Sequence, residues 1–134
     1  MIIVKCNIDA SIESVWKCWT IPEHITKWNH ASEDWYTPYA ENDLRVGGKF
    51  KSTMASKDGT MIFDFEGEYI KVENHSLIEY ILADERKVTV CFMTLENGVE
   101  IIESFEPETE NSEELQRGGW QAILDNFKKY VEGL

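Results

Sequence analysis

Two alternating segments joined by a turn constrain the fold of this 134-residue chain most strongly. From about Asp43 to Met54, and again from Met61 to Tyr69, apolar residues alternate with polar ones. A period of two is typical of a β-strand with one face in water. The intervening KDGT contains Asp-Gly, a favoured hairpin turn. The sequence therefore predicts an antiparallel hairpin with one apolar face.

Charge and apolar character agree on a single register for this hairpin. A turn centred on Asp58-Gly59 sets four pairs opposite one another: Lys49 with Glu68, Phe50 with Gly67, Lys51 with Glu66, and Met54 with Phe63. A slip of one residue would place lysines against aromatic rings. The acids of the second strand, Asp64 included, are interpreted as a solvated outer face.

The segments before the hairpin indicate one strand and two short helices. A strand is predicted at about residues 1 to 8. Ile12, Val15, Trp16 and Trp19 then form the apolar stripe of a first helix. A second helix, with Thr20 and Glu23 at capping-box spacing, is expected to reach about Trp28. Residues 29 to 42 are interpreted as an aromatic loop, and Gly47-Gly48 as a bend in the sheet.

The remainder predicts more antiparallel strands and one long helix. SLIEYIL is a strand, and a second hairpin closes at Asn97-Gly98. Asn111 and Glu114 suggest the capping box of a final helix that runs to the C-terminus. The predicted class is α+β, in the order β-α-α-β(4-5)-α, within a single domain of residues 1–134.

Two adjacent glycines, Gly118 and Gly119, interrupt the amphipathic pattern of the last helix. Each costs roughly 1 kcal/mol relative to alanine inside a helix. We favour one bent helix over a break into two, because the opening turn is too short to be stable alone.

Charge and motif content narrow the classes of function. A net charge of −12 argues against nucleic acid and membrane surfaces as partners, since both are bound through Lys and Arg. Three widely spaced cysteines suit reduced thiols and a cytoplasmic location. The three histidines have no metal-binding companions, and no nucleotide-binding fingerprint is present, so we expect no metal and no cofactor.

Glu103 is the polar residue that stands out. The second hairpin places it among Val99, Ile101, Phe105 and Phe92, on the most apolar face of the sheet. A lone buried acid needs a partner or becomes neutral. One interpretation is a structural acid satisfied by Tyr80, Arg117 or another core group. The other is a polar anchor, or an acid of raised pKa, in a ligand cavity.

Five stretches carry a family resemblance over essentially the whole chain: VWKCWTIPEHITKW, DLRVGGKF, DGT, GEYIKV and GGWQAILDNFKKYVE. In order and spacing they resemble the START-like (SRPBCC) helix-grip superfamily, and within it the family related to the C-terminal domain of the activator of the ninety-kilodalton heat-shock chaperone ATPase. The resemblance implies a curved antiparallel sheet wrapped around the C-terminal helix. It also implies a cavity for an apolar or amphipathic molecule between them.

The first functional hypothesis is therefore a small-molecule binding domain of unknown specificity. The side chains expected to bind the ligand are mostly apolar, with Glu103 and Gln116 as polar anchors. They are Trp28, Trp35, Phe50, Met54, Phe63, Phe65, Tyr69, Tyr80, Phe92, Glu103, Gln116, Trp120, Ile123 and Phe127.

Two alternatives stay open. Some relatives are cyclases, aromatases or hydrolases, and in such an enzyme Glu103 would be the acid or base; we favour binding over catalysis. The family name also implies a chaperone interaction. The fuller co-chaperones carry an additional N-terminal domain, whereas this chain begins with its first strand, so we rank that role last. Monomer and homodimer are both compatible with the sequence.

Overall fold

The computed structural model describes every residue from Met1 to Leu134. Its helices are α1 (Ile12–Thr20), α2 (Pro22–Trp28) and α3 (Glu113–Glu132). Its strands are β1 (Ile2–Ile8), β2 (Trp35–Asn42), β3 (Lys49–Ser56), β4 (Ile62–Glu73), β5 (Leu77–Leu82), β6 (Lys87–Leu95) and β7 (Gly98–Phe105).

All seven strands form one antiparallel sheet in the order β1-β7-β6-β5-β4-β3-β2. The sheet curls around α3, which packs against β1 and buries Leu124, Phe127 and Val131. Along β5, β6 and β7 buried residues alternate with more exposed ones, so the buried residues form a single inner face. The predicted α+β helix-grip architecture is confirmed.

The first hairpin has the predicted register. Lys49 pairs with Glu68, Lys51 with Glu66, Phe50 with Gly67 and Met54 with Phe63. The pairing of charge with charge and of apolar with apolar side chains was sufficient to select it, because a shift of one residue exchanges the two faces of a strand.

The interpretation of residues 29 to 42 as a loop was wrong for its second half. Residues Trp35–Asn42 form β2, an edge strand paired with β3 and irregular between Tyr36 and Tyr39. The irregular stretch contains Pro38, which an edge strand tolerates because one side of its backbone has no partner. Six strands, instead of four or five, therefore lie between α2 and α3.

The start of β3 also differs from the expectation. Residues 45–47 form a bend and turn, and β3 begins at Lys49. Gly47 has a φ of 85°, which glycine adopts without strain, and its N–H donates to the Tyr69 carbonyl at 2.9 Å. The glycine pair thus makes the predicted bend, directly beside β4.

Both predicted capping boxes are displaced by one residue. The N-cap of α3 is Ser112, whose hydroxyl accepts from the Leu115 N–H at 3.1 Å. The N-cap of α2 is Ile21, which has no side-chain cap. Thr20 instead closes α1, its hydroxyl donating to the Trp16 carbonyl at 2.7 Å. A Ser or Thr beside a helix end has several backbone partners in reach, so spacing alone does not decide between them.

The glycine pair does not break the last helix, since α3 is continuous from Glu113 to Glu132. A Cβ atom added at Gly118 or at Gly119 would meet no atom within 4 Å outside the helix's own backbone. Neither glycine is therefore required by close packing.

Gly118→Ala and Gly119→Ala are each expected to raise the free energy of unfolding by about 0.5–1 kcal/mol, because alanine restricts the unfolded chain and fits the helix. Urea denaturation measures the change. Gly98→Ala is the matched control of opposite sign, since Gly98 has a φ of 151° and its added Cβ would lie 2.2 Å from the Ile8 carbonyl oxygen. Destabilisation by either α3 substitution would contradict the expectation.

Candidate functional site

A cavity of about 290 Å³ lies between the inner face of the sheet and the three helices. Eight of its nineteen lining residues are aromatic: Trp19, Trp28, Phe50, Phe63, Phe65, Tyr69, Tyr80 and Trp120. Ile25, Met54, Ile78, Ile123 and Leu124 complete the apolar lining. The polar lining consists of Asn29, Glu41, Asn42, Ser52, Arg86 and Glu103.

Strand and helix periodicity bring these side chains together. Phe50, Ser52 and Met54 are alternate residues of β3 and so point to one side of the sheet. Tyr69 on β4 pairs with Tyr80 on β5, which extends the same face across the sheet. From α3 the helical period of 3.6 directs Trp120, Ile123 and Leu124 towards these strands.

The aromatic rings are interlocked along the lining. The Phe50 ring lies 4.7 Å from that of Tyr80 and 5.2 Å from that of Tyr69, measured between centroids. Trp19 lies 5.0 Å from Trp28. Such edge and tilted contacts hold each ring in place by packing with its neighbours.

Glu103 is buried in this cavity with no partner in the chain. It pairs with Val4 on one side and Val90 on the other, so its row of the sheet is apolar. Only 6% of the residue is exposed, and no hydrogen bond or ion pair within the chain involves its carboxyl group. Burial raises its pKa to about 8, because a low-dielectric environment disfavours the carboxylate. The predicted burial of Glu103 is confirmed, but the expected structural partner is missing.

The hydroxyl groups of Tyr80 and Ser52 also make no hydrogen bond within the chain, although both residues are buried. Burial raises the pKa of Tyr80 well above its ordinary value. Two other polar side chains of the lining are engaged within the chain. The Tyr69 hydroxyl donates to Asn42 Oδ1 at 2.5 Å, and Trp28 Nε1 donates to the Cys18 carbonyl at 2.8 Å.

The two other charged residues of the lining are paired locally. Arg86 Nε donates to Asp84 Oδ2 at 2.8 Å, and its Nη1 donates to the Glu106 carbonyl at 3.2 Å. Glu41 accepts from the Tyr39 hydroxyl at 2.8 Å and is exposed. Glu103 is therefore the one charged residue of the lining whose polar atoms have no partner within the chain.

Ten of the fourteen residues predicted as a site line this cavity. They are Trp28, Phe50, Met54, Phe63, Phe65, Tyr69, Tyr80, Glu103, Trp120 and Ile123. They come from six different elements, and the sequence predicted them because each lies on the apolar face of its own helix or strand.

Four predicted site residues lie outside the lining. Phe92 packs edge-on against Trp16 and Trp19, and Phe127 packs against Trp19 and Trp28, so both belong to the solid core. Trp35 packs edge-on against Phe63, with ring centroids 5.8 Å apart.

Gln116, the fourth, is occupied by the loop before α3. Its Oε1 accepts from the Glu108 N–H at 2.9 Å, while its Nε2 donates to the Asn111 carbonyl at 2.9 Å. As both ends of its amide are used inside the chain, Gln116 is not a polar anchor of the cavity.

Several lining residues were missed by the sequence interpretation. Trp19 was assigned to core packing, and its position on the helical stripe offers no signal that separates core from cavity. Glu41 and Asn42 lay in the segment interpreted as a loop; the weak alternation of β2 was the available signal. Ser52 alternates with Phe50 and Met54 and could have been found from that pattern.

No three or more His, Cys, Asp and Glu side chains come together in a way that could hold a metal ion. None of the helices is both long enough and apolar enough to span a membrane.

Comparison with known proteins places the chain among relatives of the same architecture. The family described as "Activator of Hsp90 ATPase homolog 1-like protein" matches residues 9–132. An AHSA1-like protein from Aeromonas hydrophila, solved in solution, is 42% identical, with a TM-score of 0.93 over 98% of this chain and 92% of that one.

A Cytophaga hutchinsonii protein, also solved in solution, is 51% identical, with a TM-score of 0.85 over 98% of this chain and 92% of that one. A crystal structure from Nitrosomonas europaea, at 17% identity, shares the fold with a TM-score of 0.82 over 98% of this chain and 93% of that one. Proteins with curated descriptions gave no match.

Proposed function

We propose that this chain, which belongs to the Activator of Hsp90 ATPase homolog 1-like family, binds an apolar or amphipathic small molecule in the cavity beneath α3. It shares the fold of that family over nearly all its length. The observation that carries the proposal is an aromatic cavity lined by the polar groups of Glu103, Tyr80 and Ser52, none of which is hydrogen-bonded within the chain. Ligand sites are typically concave and mostly apolar, with a few convergent polar groups.

Physical cost supports the same conclusion. Burying a polar group without a hydrogen bond costs on the order of 1–3 kcal/mol, so the three groups that face this space need water or a ligand as a partner. A protein selected only for stability would fill that space with side chains, as protein interiors are close-packed. A ligand that packs against the rings and hydrogen-bonds the polar groups would fill the space and satisfy those groups.

Filling the cavity tests the proposal. Ser52→Phe places a ring inside the cavity, in the space that the ligand would occupy. The variant is expected to bind 1-octanol, an amphipathic probe, about tenfold more weakly or worse, a loss of about 1.4 kcal/mol or more. Quenching of the fluorescence of Trp19, Trp28 and Trp120 measures binding.

Thr53→Phe is the matched control on the opposite face of β3. The Thr53 hydroxyl donates to Asp64 Oδ1 at 2.8 Å, outside the cavity. The Thr53→Phe variant should therefore bind octanol with unchanged affinity. Equal loss in both variants, or native mass spectra without any bound small molecule after exposure to octanol, would contradict the proposal. If the protein captures an Hsp90-type chaperone stoichiometrically and Ser52→Phe does not affect this capture, the interaction named in the family description is favoured instead.

Acid–base catalysis in the same cavity is a second candidate, and one observation favours it. Glu103 is neutral and unpartnered near neutral pH, the state in which a carboxylic acid can donate a proton as a general acid. Hydrolysis of p-nitrophenyl octanoate that disappears in Glu103→Gln would support catalysis. Absence of turnover, or turnover that survives Glu103→Gln, would limit Glu103 to binding.

A further inference from the structure

Glu103 is the feature of the cavity that a purely apolar ligand leaves unexplained. Glu103 is buried, lines the cavity and makes no hydrogen bond within the chain, while the surrounding side chains include eight aromatic residues. Aromatic rings attract ammonium groups through their negative faces, and a carboxylate in the same enclosure adds a charge-assisted hydrogen bond. Together these two properties favour a cation over a neutral polar group.

We infer that the ligand of this cavity is an amphiphilic amine, with an apolar body against the aromatic lining and its ammonium group against Glu103. The inference rests on the proposed function and names the chemical class that the cavity takes.

The remaining charges agree with a cationic ligand. Arg86, the one cationic side chain of the lining, already bonds Asp84 and the Glu106 carbonyl. Glu41 adds a carboxylate to the lining, and the net charge of −12 attracts cations to the protein as a whole. An anionic amphiphile would have to approach against this field and then meet Glu103.

Binding of an amine changes the protonation of Glu103, so the number of protons released on binding tests the inference. Near pH 7 the buried Glu103 is mostly protonated, since its pKa is raised to about 8. When an ammonium group binds, Glu103 ionises and its proton passes to the buffer. At pH 9 Glu103 is already ionised in the empty cavity, so binding releases no proton, while an alkylammonium, with a pKa near that of lysine, about 10.4, is still mostly charged.

The tyrosines and the cysteine around Glu103 stay neutral over this range. Tyr69 and Tyr80, from β4 and β5, have raised pKa values. Burial raises the pKa of the Cys6 thiol on β1 to about 12. The other charged residues of the lining are Arg86 and Glu41, and no helix contributes a titratable side chain to it.

The experiment compares octylamine, 1-octanol and octanoate, which share one alkyl chain and differ in the polar end. Isothermal titration calorimetry at pH 7 and pH 9, in two buffers of different ionisation enthalpy, gives both the affinity and the number of protons released. Octylamine is expected to bind about tenfold tighter than octanol at pH 7, the equivalent of one charge-assisted contact. It is expected to release close to one proton at pH 7 and none at pH 9.

Glu103→Gln removes the charge and retains the shape. The variant is expected to bind octylamine no more tightly than octanol and to release no proton at either pH. Equal binding of octylamine and octanol by the unchanged protein, or tighter binding of octanoate, would overturn the amine inference and leave the proposed function standing. If none of the three probes binds, the proposed function fails as well.

Discussion

Glu103→Gln is expected to stabilise the protein, by an amount that increases with pH. In the folded chain burial raises the pKa of Glu103 from an ordinary value of 4.5 to about 8. Between these two values the unfolded chain holds a carboxylate and the folded chain holds the neutral acid. Folding then binds a proton, so the free energy of unfolding of the unsubstituted protein falls as pH rises, by about 1.4 kcal/mol per pH unit for this group.

Glutamine carries no proton-dependent charge, so the variant escapes this loss. Below about pH 4.5 the two proteins should have similar stability, because Glu103 is neutral in both the folded and the unfolded state. At pH 7 the variant should be more stable by about 3 kcal/mol, and the difference should level off once the pH exceeds about 8. Urea denaturation from pH 4 to pH 9 measures the difference directly.

Glu66→Gln provides the control for a change of net charge. Glu66 lies exposed on the outer face of β4, opposite Lys51, and its substitution should change stability by no more than about 0.5 kcal/mol. A stability difference for Glu103→Gln that does not vary with pH would mean that Glu103 is ionised or bonded in the folded protein. The inference of an amine ligand would then lose its electrostatic basis.

Phe127→Ala is expected to destabilise the protein by about 3–5 kcal/mol, the range for removing a fully buried phenylalanine side chain. Phe127 is 0% exposed, and its ring lies 4.9 Å from Trp19 and 4.7 Å from Trp28. Its removal leaves a void in the solid core beside the ligand cavity. Denaturant unfolding measures the loss.

Phe63→Ala is the matched substitution at the ligand cavity. Phe63 lines that cavity but is 48% exposed, so its removal should cost about 1 kcal/mol or less while weakening the binding of 1-octanol. The two variants thus separate core packing from ligand contact. A loss of several kcal/mol for Phe63→Ala, or of less than about 1 kcal/mol for Phe127→Ala, would contradict this division.

Phe63 and Phe127 were both predicted to bind the ligand, and the difference in their burial shows the limit of sequence periodicity. Alternation identified Phe63 as an inward residue of β4, and the helical stripe identified Phe127 as an inward residue of α3. Both patterns report which side of an element is apolar. Neither reports whether the neighbouring elements meet there or leave a space.

Residues whose side chains have several available partners were the other source of difference. Gln116 was expected in the cavity, yet it holds the loop before α3 through the Glu108 N–H and the Asn111 carbonyl. Thr20 and Asn111 were one residue away from the true N-caps. In each case several backbone groups lie within reach of one side chain, and spacing along the chain does not select among them.

The sequence by itself determined the α+β class, the register of the first hairpin and the burial of Glu103. Each depends on local periodicity and on the pairing of like with like between adjacent strands, which act over a few residues. Only the tertiary structure decided that β2 completes the sheet and that the sheet and helices leave about 290 Å³ around Glu103. Those outcomes depend on how far apart packed elements come to rest, and that distance is set by all their side chains together.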